Sequence, residues 1–266
     1  MTVVWIVAAV GAYVLATALL VAELLGGWAR GGRTGRFVLL AGAVAHAVHL
    51  AIEATTGGPR WDISDSLSIA ALLLVGAYLA AAWRWRVGSL GAFVAPLALL
   101  FVLASSVGRT WPAVPHEVRW AMLPVHVGLN VLGVAAFALA FVAAVAYVLQ
   151  ERQLRRKRFD GPLQRLPALD ELDALGVRLV GAGFVLLTGG ILTGALWAAR
   201  RETGAFPISG AQAFAVLAWA IFAAVLALRA AAGWRGRRAA IGTMLGFACA
   251  VLVLVGYAMR LQGGGG

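Results

Sequence analysis

Charge is scarce in this sequence, and acidic charge is the scarcer sign. Of 266 residues only 12% are charged: 11 are Asp or Glu and 22 are Lys or Arg. Soluble domains carry about 25%. With 62% hydrophobic residues and a mean hydropathy of +0.90, a soluble globular enzyme is excluded. So is a disordered chain, which needs low hydrophobicity. Cysteine is nearly absent. Cys249 stands alone and cannot build a disulfide framework, a Cys-rich zinc site or an iron–sulfur cluster. Lysine is reduced to Lys157, so the formal charge of +11 is carried by arginine. No P-loop, dinucleotide fingerprint, nucleophile elbow or HExxH motif occurs, and no enzymatic activity is expected.

What the sequence has instead is long apolar runs. A helix needs roughly 20 apolar residues to cross a bilayer core. Eight runs qualify: 3–24, 37–55, 67–83, 89–107, 122–149, 177–198, 211–231 and 240–260. They predict an all-α integral membrane protein, one transmembrane domain over 1–266 built as a bundle of about eight helices. The fifth run is long enough to project beyond the bilayer. The first lacks a basic start and is too long for the apolar core of a signal peptide.

The arginines fix a predicted topology. With the N-terminus outside, sixteen basic residues fall on the cytoplasmic side: Arg30, Arg33, Arg36, Arg84, Arg86, the five in 152–158, Arg165, Arg178, Arg229, Arg235, Arg237 and Arg238. Six fall outside: Arg60, Arg109, Arg119, Arg200, Arg201 and Arg260. That asymmetry follows the positive-inside rule and predicts both termini on the outer, periplasmic side of a bacterial inner membrane. It also accounts for the basic excess through membrane lipid, so no nucleic-acid partner is expected. The largest segment between runs, 150–176, reads as a basic and amphipathic cytoplasmic loop. Within it LPALDELDAL suggests a short surface helix with Asp170, Glu171 and Asp173 on its polar side.

Ionisable groups at bilayer depth are costly and are functional candidates. The second run carries His46, His49 and Glu53, whose spacing places them on one helical face. His46 falls near mid-bilayer. Glu53 is one turn beyond His49 and suited to accept a hydrogen bond from its ring, which would orient that ring for ligation. The stripe suits a metal or haem site or a proton path, and equally a buried polar network with its hydrogen bonds satisfied. The fifth run opens with His126, followed by Asn130 at i+4, at a depth comparable with His49. Two such helices could offer imidazoles to one iron. His116 lies in an outer loop and reads as solvated. Trp28, Trp61, Trp83, Trp85, Trp111, Trp120, Trp197 and Trp234 fall near predicted membrane edges, as an interfacial belt requires. In the sixth run Gly190 and Gly194 form a GxxxG pair, which fits close helix packing better than a gap admitting a flat ligand.

Several segments carry a family likeness. PVHVGLNVLGVAAFALAFVAAVAYVLQERQLRRKR, GFVLLTGGILTGALWA, AWAIFAAVLALRAAAGWRGRRAA and HAVHLAIEATTGGPRWDISDSLSIAALL together resemble the cytochrome c assembly superfamily of CcsA/CcmC type over most of 40–260. In haem-delivering members the GALWA segment leads into a Trp-rich loop containing Asp-Pro-Lys, and a second outer histidine lies near the last helix. Here it leads into ARRETGAFPISGAQ, and the end reads VGYAMRLQGGGG. That departure resembles the smaller HemX/YpjD-like branch, whose HemX members are associated with control of haem synthesis at the glutamyl-tRNA reductase step. The resemblance implies that His126 matches an outer haem ligand. It implies that His46, with His49 as near neighbour, matches a histidine associated with haem within the membrane.

The leading expectation is a haem-binding or haem-handling inner-membrane protein supporting cytochrome c or haem biogenesis. Haem iron would be held by His126 and one of His46 or His49, with Glu53 and Asn130 orienting the rings and Arg60 and Arg119 available to the propionates. The haem would be non-covalent and b-type, and partners would be membrane lipid and other biogenesis or haem-synthesis proteins. An alternative is a non-haem accessory or regulator of tetrapyrrole synthesis docking a soluble enzyme through 150–176. A third is a small transporter using His46, His49 and Glu53, disfavoured by the lack of repeat symmetry.

Overall fold

The computed structural model describes residues 2–26, 31–57, 63–85, 87–108, 122–157, 165–199 and 210–263. Among the described residues there are eight long helices and no strand: α1 Thr2–Leu24, α2 Gly31–Thr56, α3 Ile63–Arg84, α4 Gly91–Gly108, α5 Leu123–Arg155, α6 Leu169–Ala199, α7 Gly210–Ala232 and α8 Arg237–Gly263. A single 3-10 turn, Gly88–Leu90, leads into α4. Seven of the helices, α1 to α7, are long and apolar enough to cross a membrane. α5 has 33 residues and so runs about 50 Å, well past a hydrocarbon core of about 30 Å.

Consecutive helices pack in pairs, α1 on α2, α3 on α4, α5 on α6 and α7 on α8. α1 also packs on α4, and α2 on α3. α5 joins the halves, resting on α3 and α4 on one side and on α6 and α8 on the other. The interior holds Tyr13, Leu39, Leu74, Tyr78, Phe137 and Phe222, all essentially inaccessible. Phe137 stacks on Phe222 at 3.8 Å between ring centroids, and Phe141 on Phe247 at 4.8 Å, which tie α5 to α7 and α8.

The outer faces are apolar as well. Val7, Val14, Phe37, Val44, Leu100, Val185, Leu192 and Leu245 are all exposed. In water such a surface would drive association. In a bilayer it meets hydrocarbon at no cost, so what holds the helices together is close packing and interhelical hydrogen bonds.

The segment between α5 and α6 differs from the expected loop. α5 continues to Arg155, and LPALDELDAL is not a separate surface helix: from Leu169 it forms the first turns of α6. Leu172 is buried, and Asp173 turns inward while Asp170 and Glu171 stay exposed. The reason is a charge partner that periodicity cannot reveal. Arg229 of α7 grips Asp173 with two bonds, Nη1 to Oδ1 at 2.9 Å and Nη2 to Oδ2 at 2.6 Å, and the Gly236 N–H donates to Oδ1 at 3.0 Å. At the other end of the same connection, Arg165 donates through Nη1 to the Glu23 carbonyl at the end of α1. A helix C-terminus leaves such carbonyls without intrahelical partners.

Candidate functional site

His46 and His49 of α2 are both buried, at 0% and 2% exposure. His46 sits between two hydroxyls. Its Nδ1 lies 3.3 Å from Tyr13 Oη of α1, and its Nε2 2.8 Å from Ser68 Oγ of α3. The Tyr13 ring meets the imidazole edge-on at 5.9 Å. Gly42 makes this approach possible, since a Cβ there would lie 2.8 Å from Tyr13 Cδ1. A neutral imidazole donates from one nitrogen and accepts at the other, so one hydroxyl accepts from the ring and the other donates to it. With both nitrogens engaged, His46 bolts α1, α2 and α3 together. To ligate iron it would have to surrender one of these bonds.

His49 is one turn further along. Its Nε2 lies 3.4 Å from Glu53 Oε2, and the Glu53 side chain is only partly covered. The α2 stripe therefore divides into an interior histidine locked by hydroxyls and a second histidine facing a carboxylate nearer the helix end.

His126 lies in the first turn of α5, its N–H bonded to Met122 O at 2.9 Å. Its partners come from α5 and α6. Nδ1 is 3.0 Å from Thr193 Oγ1. The Thr193 hydroxyl is also 2.9 Å from both Gly189 O and Gly190 O of its own helix. When it donates to either carbonyl, its oxygen is left to accept from the imidazole, an arrangement that puts the proton on Nδ1 and the lone pair on Nε2. Asn130 stands beside that lone pair. Its Nδ2 donates to the His126 carbonyl at 2.7 Å and is 3.4 Å from Nε2.

The α6 glycines make room for this arrangement. A Cβ at Gly190 would be 2.6 Å from Asn130 Oδ1, and one at Gly194 would be 3.2 Å from His126 Cε1. A Cβ at Gly183, lower on the same seam, would meet Phe137 at 2.7 Å. The GxxxG pair is thus a packing surface, and what it packs against is the HxxxN pair of α5.

The structure brings His126, Asn130 and Thr193 together, and separately His46, Tyr13 and Ser68. α2 packs on α1 and α3, α5 packs on α6, and α3 touches both α2 and α5. Arg60, Arg119 and His116 lie outside the described residues. Among the described residues, no three His, Cys, Asp or Glu side chains converge as a metal centre. Sequence reasoning missed Tyr13, Ser68 and Thr193. A tyrosine in the middle of an otherwise apolar helix was the available signal for the first. Ser and Thr are too common in membrane helices to signal anything alone.

Eight packed helices with apolar outer faces, and imidazoles held between them, define a polytopic membrane protein with histidine sites inside its bundle. The chain belongs to the cytochrome c assembly family: the model described as "Cytochrome C assembly protein" matches residues 37–263, a span that includes all three membrane histidines. Similar proteins include the "Cytochrome c biogenesis protein CcsA" of Chlamydomonas reinhardtii, 29% identical over 167 residues, covering 59% of this chain and 45% of that protein. The protein of the same name from Parasynechococcus marenigrum (strain WH8102) is 28% identical over 177 residues, covering 59% of this chain and 58% of that protein. A shorter match, 42% over 86 residues, links 32% of this chain to 25% of CcsA from Synechococcus sp. (strain JA-3-3Ab). The chain spans about half the length of the first two relatives.

Proposed function

We propose that this chain handles haem in cytochrome c biogenesis, binding it by histidine coordination within the helix bundle and performing no chemistry of its own on a substrate. The observation that carries the reading is the His126 site. Its imidazole lies 3.0 Å from the Thr193 hydroxyl, an Nδ1–H bond to that oxygen would leave the lone pair on Nε2, and the residue sits in the first turn of a membrane-spanning helix. These residues fit a haem iron, because a neutral imidazole with Nδ1–H anchored is the usual form of a histidine ligand. Haem, when bound, would supply a redox-active iron held without covalent attachment. The chain's residues would hold it: His126 through Nε2, and on α2 one of His46 or His49. Asn130 and Glu53 would orient the rings.

We assign the chain to the HemX/YpjD-like branch, on the absence of a Trp-rich loop in the sequence after α6. We also infer a bacterial inner-membrane location with both termini outside, on the uneven distribution of arginine. Fusions of a reporter at residue 160 and at the C-terminus should then report opposite sides, and same-side labelling would sink the topology. Partners would be other biogenesis components. Docking of a soluble enzyme of tetrapyrrole synthesis through 150–176 is the alternative reading; within that segment Asp173 is engaged by Arg229 and Arg165 reaches α1.

The test is a visible spectrum of the protein purified in mild detergent. A Soret band with bis-histidine features, lost or converted in His126→Ala and unaffected by His116→Ala, is the expected result. A preparation that never holds haem, even after haem is added, would overturn the reading.

A further inference from the structure

At the end of the bundle opposite His126, the C-terminal turns of α5 and the α7–α8 turn enclose an open groove of about 400 Å³. The turn is rigid for reasons that can be named. Gly233 and Gly236 take left-handed conformations at φ +64° and +67°. Trp234 N–H bonds back to Leu228 O at 3.2 Å, tying the turn to the last turns of α7. The Gly236 N–H is fixed to Asp173 of α6, and a Cβ at Gly236 would lie 2.5 Å from Tyr147 Oη of α5. The end of α7 and two neighbouring helices, α5 and α6, therefore hold the turn in place.

On this frame the groove collects Arg155, Arg235, Arg237 and Arg238 against one acid, Glu151. Glu151 is taken up by Arg155, 2.8 Å from Nη2, with Arg237 Nε at 3.7 Å. Among the described residues no carboxylate comes within ion-pair distance of Arg235 or Arg238, and both are exposed. The groove thus carries a net positive charge, only partly offset by Glu151 and by Asp173 behind the turn. The chain continues away from it as α8, and the next outward residues of that helix are Ile241 and Leu245, 41% and 58% exposed. With Arg237 they fall at i, i+4 and i+8, one face of a helix. Cations at a membrane edge, a half-buried Trp234 beside them and an apolar track leading into the hydrocarbon match one class of molecule in charge and in shape.

We propose that this groove binds the phosphate headgroup of an anionic phospholipid, with the acyl chains lying along the Ile241–Leu245 face of α8. The charge asymmetry of the loops places the site in the inner leaflet, where anionic lipid presents its charge. Arg235 and Arg238 supply the free donors, and Arg155 and Arg237 close the site from the two sides while holding Glu151.

The whole chain, purified in neutral detergent, is titrated with phosphatidylglycerol, with phosphatidylcholine and with inorganic phosphate. Lipid retention is read by native mass spectrometry and the thermal midpoint by melting. Phosphatidylglycerol should be retained and should raise the midpoint, and the other two should do neither. The preference should shrink as salt rises from about 0.1 M to about 0.5 M. R235Q/R238Q should weaken it on the order of 30-fold, at about fivefold per arginine. R152Q/R156Q, equally basic but outside the groove, should stay within about twofold of wild type. If inorganic phosphate reproduces the effect, the groove is a soluble-anion site and the proposal fails. It fails equally if phosphatidylcholine is retained as well, or if R235Q/R238Q keeps the full preference. Should that variant not fold, the headgroup and salt comparisons on the wild-type protein decide alone.

Discussion

Gly194 of α6 lies beneath the imidazole of His126, at a distance where a single added Cβ would be 3.2 Å from Cε1. One turn earlier, Gly190 lies beneath Asn130 in the same way, with 2.6 Å to Oδ1. The small residues of one helix and the polar residues of the other are therefore two sides of one contact. Close approach lets Thr193 reach the ring.

Gly190→Leu should disturb this seam directly. Overpacking costs about 1–3 kcal/mol or more, because α5 cannot retreat without breaking its contacts with α3 and α8. Accumulation and thermal midpoint should fall together. Gly190→Ala should show a smaller loss in the same direction, and Gly181→Ala, whose Cβ would meet no atom within 4 Å, should be silent. Wild-type stability for Gly190→Leu would mean that α5 and α6 do not approach as described.

The His46 network makes a separate prediction about stability. Tyr13→Phe removes one hydroxyl partner and should cost about 1 kcal/mol. His46→Ala should cost more, since it leaves both the Tyr13 and Ser68 hydroxyls without the ring and opens a cavity where the ring stood. The two changes should not add, because they share one network. Thermal unfolding of the two single variants and the double variant measures this, and strict additivity would show that Tyr13 and His46 do not interact.

Some of this was readable from sequence, and the reason for each success or failure is physical. The helices were legible because bilayer thickness imposes a length on apolar runs. The membrane histidines were legible because ionisable groups are so few that each stands out. Their partners were not. Tyr13, Ser68 and Thr193 lie 33, 22 and 67 positions from the rings they bond, and nothing local encodes which helices become neighbours. The inward turn of Asp173 was hidden for the same reason, since its partner Arg229 is 56 positions away.

The Asp173–Arg229 pair ties α6 to α7 at the end of the bundle that carries the basic turn. Asp173→Ala should lower stability by about 2 kcal/mol, since it leaves the partly buried Arg229 without its carboxylate and the Gly236 N–H without an acceptor. Asp173→Asn should retain part of that, because its amide oxygen can still accept from Gly236. Limited proteolysis near residues 233–236 reports the local effect. Equal resistance in wild type and Asp173→Ala would show that the turn is held by something else.

The last prediction concerns the proton on His126. A threonine hydroxyl has one hydrogen, and Thr193 has two backbone carbonyls of its own helix within reach of it. With the hydroxyl donating there, the imidazole is expected to donate from Nδ1, with or without a bound ligand. In protein labelled with nitrogen-15 at histidine, His126 should show the neutral Nδ1–H tautomer. Thr193→Ser keeps the hydroxyl and should preserve that signal. Thr193→Val fills the same space without an acceptor and should shift the ring toward a mixture of tautomers. If haem is bound, Thr193→Val should also raise the haem midpoint potential, because a ligand whose N–H has lost its hydrogen bond is a weaker donor to iron. Thr193→Ser should leave that potential close to wild type. A wild-type ring found mainly as the Nε2–H tautomer would overturn the assignment of Nε2 as the ligating nitrogen, and with it the geometric basis for haem at this site.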